Sequence, residues 1–262
     1  MKNEILSLLP PDCTWGESVY YLESVDSTNG FAKALAKDGA PQGTAVIAMR
    51  QTDGRGRMGR SFQSPEGGHY MTVILRPKCR AEDLMHLTCA AGVAAADAIY
   101  QASGIRPGLK WINDLVIGTQ KVGGILAEMS LTPSGDVDFA LIGIGINCKD
   151  TIPPELSQIA TALDREAGKP VSPARLAAGL LVSLHKMSAT LLSEKKHMMD
   201  SYRQQCITTG REVVLLRDEE KRKAFALSVT DDGGLLVEFP DHHREVIASG
   251  EVSVRGLFGY LS

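Results

Sequence analysis

A short segment rich in glycine and arginine, residues 54–60 (GRGRMGR), is the part of this sequence best suited to close on an anion. Glycine lets consecutive backbone N–H groups converge, and each arginine offers a planar fork that matches phosphate or carboxylate oxygens. Ordering the segment costs about 1–2 kcal/mol per residue in backbone entropy, whereas a hydrogen bond to a charged group returns about 1.5–3 kcal/mol. We therefore expect the segment to be mobile when empty and ordered when it binds an anion.

Three further motifs place polar residues inside strongly apolar stretches, where a buried polar group needs a partner or a function. They are residues 110–114 (KWIND), 121–125 (KVGGI) and 143–147 (GIGIN). Each motif alone also fits a plain structural role: a strand-edge salt bridge for the first, a hairpin flank for the second and a strand-end turn for the third. Residues 54–60 likewise fit a solvated loop or an RGG-like nucleic-acid segment.

The elements that must position these motifs are predicted by apolar periodicity. Alternation or short apolar runs predict strands, and a glycine-containing turn over residues 118–120 predicts that the fourth and fifth strands form a hairpin. The predicted strands cover residues 19–25, 44–49, 70–75, 109–117, 122–129 and 139–146.

Helices are predicted where apolar residues recur every three or four positions, over residues 84–98 and 176–191, with their apolar faces on one side of the sheet. A shorter helix should start at Ser27 or Thr28, bury Phe31 and Leu35, and stop at residue 39 before a proline. Helices and strands are interspersed, so the fold class is α+β with a mixed β-sheet covered by helices.

The C-terminal part of the chain has a different texture. Five short apolar runs follow one another between residues 213 and 254, with a tight turn at residues 231–234 (DDGG). This pattern predicts a small SH3-like β-barrel. We therefore expect a catalytic domain at residues 1–208 and a C-terminal SH3-like β domain at residues 209–262.

Composition limits the classes of function. The chain has 262 residues, a net charge of −3 and 44% hydrophobic residues, which is typical of a soluble globular protein without a basic nucleic-acid surface. Its five widely spaced cysteines indicate reduced thiols in a cytoplasmic protein, and its six histidines show no zinc-type spacing, so we expect no structural metal. No stretch reads as a signal peptide or a membrane span.

Taken together and in this order, the motifs resemble those of the biotin protein ligases, also called biotin-[acetyl-CoA-carboxylase] ligases. The resemblance covers nearly the whole chain. It rests on Ser-Thr-Asn at residues 27–29, on Gln51 followed by G-R-G-R-x-G-R, and on the motifs at 110–114, 121–126 and 143–147. Residues 250–255 resemble the closing strand of the family's SH3-like C-terminal domain.

The resemblance implies a two-step reaction. Biotin and MgATP give biotinoyl-5'-adenylate and pyrophosphate, and a lysine amine of a biotin carboxyl carrier protein domain then displaces AMP. ATP with Mg is the implied co-substrate, biotin is the substrate, and neither a prosthetic group nor a covalent enzyme intermediate is implied. Monomers and homodimers both occur in such a family, so either state fits.

The resemblance also implies roles for individual residues. The implied catalytic residues are Lys121, Arg57 and Asp114, and Asp114 would position either Mg or the attacking lysine. The implied biotin-binding residues are Ser27, Thr28, Asn29, Gln51, Arg55, Gly56, Arg57, Lys121, Gly124 and Gly143, with the backbone near the last two leaving room for the biotin tail. The implied nucleotide-binding residues are Gly54, Arg57, Arg60, Phe62, Lys110, Asn113 and Asn147.

Two positions depart from the family pattern. Ile112 stands where the family usually has proline, and Phe62 stands where many members have tryptophan. Neither change removes a charged group, so we expect altered geometry with activity retained. The first predicted strand begins by Val19, which leaves no room for the N-terminal helix-turn-helix of some members, so we expect the monofunctional type without operator binding.

Two other functions compete with this interpretation. A lipoate-protein ligase resembles the fold and also acylates a carrier lysine, but residues 54–60 and the KWIND motif favour biotin. A non-catalytic module that binds a nucleotide or RNA would not require matching motifs in several separate segments.

Overall fold

The computed structural model describes residues 1–217, 220–248 and 253–255. Helices and strands are interspersed in the N-terminal part of the chain, and the described residues of the C-terminal part form strands. The helices are α1 (Lys2–Ser7), α2 (Thr28–Lys37), α3 (Leu87–Ser103), α4 (Leu163–Ala167), α5 (Pro173–Thr190) and α6 (Lys195–Gln205). The strands are β1 (Val19–Leu22), β2 (Ala45–Ala48), β3 (Gly68–Leu75), β4 (Gly108–Lys110), β5 (Asp114–Ile117), β6 (Gln120–Leu131), β7 (Val137–Asn147), β8 (Arg211–Arg217), β9 (Glu220–Val229), β10 (Leu235–Glu238), β11 (Arg244–Ile247) and β12 (Ser253–Arg255).

The first seven strands form one mixed sheet in the order β1-β2-β3-β7-β6-β5-β4. Strands β1 and β2 are parallel, and the other neighbouring pairs are antiparallel. Helices α3 and α5 share the main apolar core with one face of this sheet, whereas α2 packs on the opposite face through a smaller cluster that includes Val46, Ile74 and Phe139. The predicted mixed sheet covered by helices is confirmed.

One predicted strand proved to be two. Residues 109–117 form β4 and β5, which pair antiparallel around a turn at residues 111–113. The apolar pattern runs through this turn because Trp111 and Ile112 are themselves buried, at 5% and 2% exposure. The next connection behaves as predicted: Ile117 pairs with Gln120 across a two-residue turn in which Gly118 has a positive φ of 58°.

Helix α2 begins and ends close to its predicted limits. The Ser27 hydroxyl accepts a hydrogen bond from the Gly30 N–H at 3.4 Å, which caps the helix at its N-terminus. The predicted buried pair, Phe31 and Leu35, is only partly buried. The residues fully buried against the sheet are Ala32 and Ala36, because small side chains let the helix lie close to the strands.

The C-terminal strands form a separate antiparallel sheet in the order β11-β10-β9-β8-β12, as expected for a small SH3-like unit. It begins at Arg211, and the predicted domain boundary after residue 208 lies just before it. Of the predicted closing strand, residues 253–255 pair with β8, and residues 250–252 lie outside the described residues. A bulge in β9 places Ala226 and Val229 inside and leaves Phe225 42% exposed.

Within residues 1–217, 220–248 and 253–255, no helix combines the length and the apolar character needed to cross a bilayer.

Candidate active site

A cavity of about 380 Å³ lies on the α2 side of the seven-stranded sheet, beneath the glycine- and arginine-rich segment. Residues from several separate segments of the chain meet there. The predicted site residues that line it are Ser27, Thr28, Asn29, Gln51, Arg55, Gly56, Arg57, Arg60, Phe62, Lys110, Asn113, Asp114, Lys121, Gly124 and Gly143.

One end of the cavity is polar and uncharged. The Gln51 side-chain oxygen accepts from the backbone N–H of Thr28 at 2.8 Å and lies 3.0 Å from the Thr28 hydroxyl, and its amide nitrogen donates to the Ser64 hydroxyl at 2.9 Å. Ser27 and Thr28 are almost fully buried, at 1% and 4% exposure. These contacts fix which side of the amide group faces which partner, so this end is a preformed hydrogen-bonding surface.

Asn29 joins this end to two strands, β3 and β6, and lies against a third, β7. Its amide oxygen accepts from the Thr72 hydroxyl at 2.6 Å, and its amide nitrogen donates to Glu128 at 2.7 Å. A methyl group added at Gly143 would lie only 2.0 Å from the Asn29 oxygen. The space above Gly143 therefore holds the Asn29 amide group.

The other end of the cavity is cationic. Lys121 Nζ lies 2.6 Å from Asp114 Oδ1, and Lys110 and Arg57 line the same wall. Burial lowers the pKa of both Lys110 and Arg57, and the Asp114 carboxylate acts against each shift. Among the described residues that line the cavity, Asp114 is the only carboxylate, and the lysines and arginines outnumber it.

Sheet register sets the distance between the two ends. On β6, Leu126 pairs with Gly143 beside Asn29, and Gly124 pairs with Asp114 on one side and Gly145 on the other. Positions 124 and 126 face the same side of the sheet and lie about 7 Å apart, since a strand rises about 3.3 Å per residue. An extended ligand along β6 could therefore contact the uncharged end and the cationic end at once.

The segment at residues 54–60 closes over the cavity as a small hairpin. The Gly56 N–H donates to the Arg60 carbonyl at 2.7 Å, and the Phe62 N–H donates to the Gly54 carbonyl at 2.8 Å. At the tip, Met58 has a positive φ of 56° and is 64% exposed. On the inner side, Arg57 Nη1 donates to Asn113 Oδ1 at 3.2 Å, which ties the segment to the turn between β4 and β5.

Similarity to known proteins agrees with this geometry. The profile of the biotin/lipoate A/B protein ligase family matches residues 21–147. The bifunctional ligase/repressor BirA of Bacillus subtilis is 36% identical over 242 residues, which are 89% of this chain and 73% of that protein. The biotin–[acetyl-CoA-carboxylase] ligase of Mycobacterium tuberculosis is 30% identical over 86% of this chain and 85% of its own length. The chain belongs to the biotin protein ligase family.

A solved biotin protein ligase has the same fold. The Aquifex aeolicus enzyme, determined in complex with biotin and ATP, superposes with a TM-score of 0.78 at 30% identity, over 91% of this chain and 99% of that one.

Phe62 and Ile112, the two residues that depart from the biotin protein ligase pattern, both pack against defined parts of the site. Phe62 lies over the β6 and β7 backbone, where a methyl group added at Gly145 would come within 2.5 Å of its ring. Lys121 Nζ lies 5.6 Å from the centre of the same ring, in a cation–π contact. Ile112 is buried in the turn between β4 and β5 and follows a cis peptide bond.

This turn is held from behind by the C-terminal part of the ligase. The Trp111 N–H donates to the Thr208 hydroxyl at 2.9 Å, and its indole N–H donates to the Gly233 carbonyl at 2.8 Å. Arg203 donates to Asp231 at 3.0 Å and so fastens the turn that carries Gly233. The turn between β9 and β10 thus contacts Trp111, a residue of the cavity wall, directly.

Two predicted nucleotide-binding residues do not line the cavity. The Asn147 side chain donates to the Thr161 carbonyl at 3.0 Å, and this bond fastens the chain beyond β7. A methyl group at Gly54 would come within 2.4 Å of the Phe62 carbonyl oxygen and the Ser64 hydroxyl, so close packing requires glycine there. Both residues support the site from outside its lining.

Sequence reasoning missed several residues of the lining. Most of them belong to motifs already recognised, and only their side-chain directions were unknown. Tyr70 is different, because it lies in a plain apolar strand with no motif to mark it; its hydroxyl donates to the Pro65 carbonyl at 2.9 Å. The unpredicted lining residues are Met58, Ser61, Tyr70, Trp111, Ile125, Leu126, Ile144 and Gly145.

Proposed function

We propose that this chain is a biotin–[acetyl-CoA-carboxylase] ligase, which joins biotin to AMP and then transfers it to a lysine of a biotin carboxyl carrier protein domain. The observation that carries the proposal is one cavity with a preformed uncharged end and a cationic end under a hairpin of arginines. The relationship to a ligase solved with biotin and ATP supports both substrates.

Biotin belongs at the uncharged end and along β6. Its ureido head needs a few fixed hydrogen-bonding groups, and its ring and tail need apolar surroundings. Ser27, Thr28 and Gln51 supply the first, and Leu126 lies on the route towards the cationic end. In this pose the biotin carboxylate would reach the wall formed by Lys121 and Arg57.

Activation brings two anions together, since a biotin carboxylate oxygen attacks the α-phosphorus of ATP while the bond to pyrophosphate breaks. Like charges repel before reaction and share charge in the transition state. Lys121, Lys110 and Arg57 would offset this repulsion, and their fixed positions remove much of the reorganisation cost. Phe62 and Asn113 also line the cavity and would border the nucleotide.

Magnesium bound with ATP would take most of its ligands from phosphate and water, so one protein carboxylate would suffice to hold it. Asp114 has the right chemistry to hold the ion, and it also fixes the position of Lys121 at 2.6 Å. When bound, the ion would offset phosphate charge beside these lysines.

Transfer needs access for a neutral lysine amine, which attacks the biotinyl carbonyl carbon as the bond to AMP breaks. Until then, water must be excluded from the mixed anhydride. The hairpin at residues 54–60 would provide this exclusion through the contact between Arg57 and Asn113. ATP as substrate and five free cysteines in the described residues fit action in the cytoplasm.

Exchange of labelled pyrophosphate into ATP tests the proposal. We expect exchange that depends on biotin and is absent with lipoate. Exchange driven by lipoate alone would instead indicate a lipoate-protein ligase, and no exchange with either acid would indicate a binding module. Labelling of a carrier-domain lysine by biotin and ATP then tests the second step.

A further inference from the structure

Asn29 lines the cavity, but the hydrogen-bonding groups of its amide are directed into the protein. Its oxygen lies 2.6 Å from the Thr72 hydroxyl on β3, and its nitrogen lies 2.7 Å from Glu128 and 3.5 Å from the Leu126 carbonyl on β6. Asn29 is 5% exposed and Thr72 is fully buried. The amide group therefore links the first turn of α2 to two strands.

Thr72 is placed to orient both neighbours. Its hydroxyl oxygen lies 2.6 Å from the Asn29 oxygen and 2.9 Å from the Thr28 hydroxyl oxygen. A hydroxyl has a single proton, and an amide oxygen can only accept, so the Thr72 proton belongs to the bond with Asn29. The Thr28 hydroxyl is then the donor to Thr72 or to Gln51. Thr72 therefore contacts both Asn29 and Thr28 directly behind the uncharged end.

Gly143 completes this arrangement by leaving room for the amide group. A methyl group there would come within 2.0 Å of the Asn29 oxygen, where real side-chain atoms do not approach. Gly143 is the neighbour of Thr72 across β3 and β7 and of Leu126 across β7 and β6. The strand register thus places the Thr72 hydroxyl next to the space above Gly143 that the Asn29 amide oxygen occupies.

We propose that Thr72, Glu128 and Gly143 are positioning residues for biotin, acting through Asn29, which anchors α2 so that Ser27 and Thr28 face the ligand. The inference rests on the proposed function, and it assigns Asn29 an anchoring role in place of a direct ligand contact. Loss of the anchor should affect biotin binding more than ATP binding, because Lys110, Lys121 and Arg57 belong to other elements.

Thr72→Val tests the donor, since it keeps the shape and removes the hydroxyl. Leaving a buried acceptor unsatisfied changes an equilibrium by about 5- to 100-fold, so we expect the KM for biotin to rise by that factor with little change in the KM for ATP. Calorimetry should show the same loss of biotin affinity without ATP. Thr72→Ser, which keeps the hydroxyl, should restore most of it.

Two matched controls separate positioning from general destabilisation. Thr44 is also almost fully buried, and its hydroxyl has no hydrogen-bond partner among the described residues, so Thr44→Val should leave the KM for biotin unchanged. Glu128→Ala should raise that KM and Glu128→Gln should raise it less. Lys33→Ala, which removes only the ion pair with Glu128 at 3.8 Å, should leave the KM for biotin unchanged.

Gly143→Ala provides an independent test, because it displaces Asn29 without removing any hydrogen-bonding group. We expect it to raise the KM for biotin as Thr72→Val does. An unchanged KM in both variants, or an equal rise in the KM for biotin and for ATP, would overturn the positioning role. A parent chain without biotin-dependent exchange would instead refute the proposed function.

Discussion

Replacing Lys121 with alanine tests the charge arrangement at the cationic end most directly. Lys121 Nζ lies 2.6 Å from Asp114, so the change removes one cation and also strips the carboxylate of this partner. Loss of one preorganised charge donor slows a reaction by about 10²- to 10³-fold. We expect at least this loss in biotin-dependent pyrophosphate exchange.

The remaining carboxylate should make the single variant worse than the loss of the lysine alone. A carboxylate about 5 Å from a phosphate costs roughly 3 kcal/mol at an effective dielectric constant of 20, which corresponds to about 10²-fold. Adding Asp114→Asn to Lys121→Ala removes this repulsion. The double variant should therefore exchange about 10- to 100-fold faster than Lys121→Ala.

The assay is pyrophosphate exchange at saturating biotin and ATP, with calorimetry of biotin binding to show that the uncharged end is intact. Lys121→Arg is the matched control, because it keeps the charge, and it should retain more activity than Lys121→Ala. A double variant no faster than Lys121→Ala would refute the reasoning. It would mean that any magnesium held by Asp114 contributes more to activation than the repulsion that Asp114→Asn relieves.

Three other predictions follow from the same structure. Arg57→Gly removes the hydrogen bond to Asn113 and should release biotinyl-AMP, so that a bystander protein such as serum albumin becomes biotinylated; equal labelling by parent and variant would contradict a retaining role for the hairpin. Trypsin should cleave residues 54–60 rapidly in the free ligase and slowly with biotin and ATP, and equal rates in both states would argue against ordering by the ligands. Burial lowers the pKa of His69 from 6.5 to about 4, so between these pH values the histidine is neutral in the folded state and protonated in the unfolded state. Neutral His69 thus contributes about 3 kcal/mol to the free energy of unfolding above pH 6.5, and this contribution is lost as the pH falls towards 4. In urea unfolding, the free energy of unfolding of His69→Leu should fall less steeply than that of the parent between pH 6.5 and pH 4. Equal slopes for the variant and the parent would contradict the lowered pKa.

Much of the fold could be predicted because apolar alternation reports burial. The strands of the seven-stranded sheet followed from it, and so did the five strands of the smaller one. The same pattern failed at Trp111 and Ile112, where the chain turns without leaving the interior. Periodicity detects burial, and a buried turn therefore looks like a strand.

The site could be predicted wherever a polar residue interrupts an apolar run, as Lys110 and Asp114 do. Thr72 and Glu128 could not, because a single hydroxyl or carboxylate within a strand has no local pattern. Their importance depends on the pairing of Thr72 with Gly143, which brings together residues far apart in the sequence. Asn147 shows the opposite case, since it belongs to a motif but its side chain donates to the Thr161 carbonyl outside the cavity lining.

The hydrogen bond from Trp111 to Gly233 limits which C-terminal sheets can be combined with this catalytic part in a chimaeric ligase. Gly233 has a positive φ of 82°, and a methyl group there would lie 3.2 Å from Cys89 Sγ, so the junction admits little except glycine. A chimaera with a C-terminal sheet from a distant relative would keep its cavity wall only if this glycine and its carbonyl arrived in the same place. We therefore expect a chimaera to keep its KWIND turn in place only when its C-terminal part supplies a glycine at the position of Gly233.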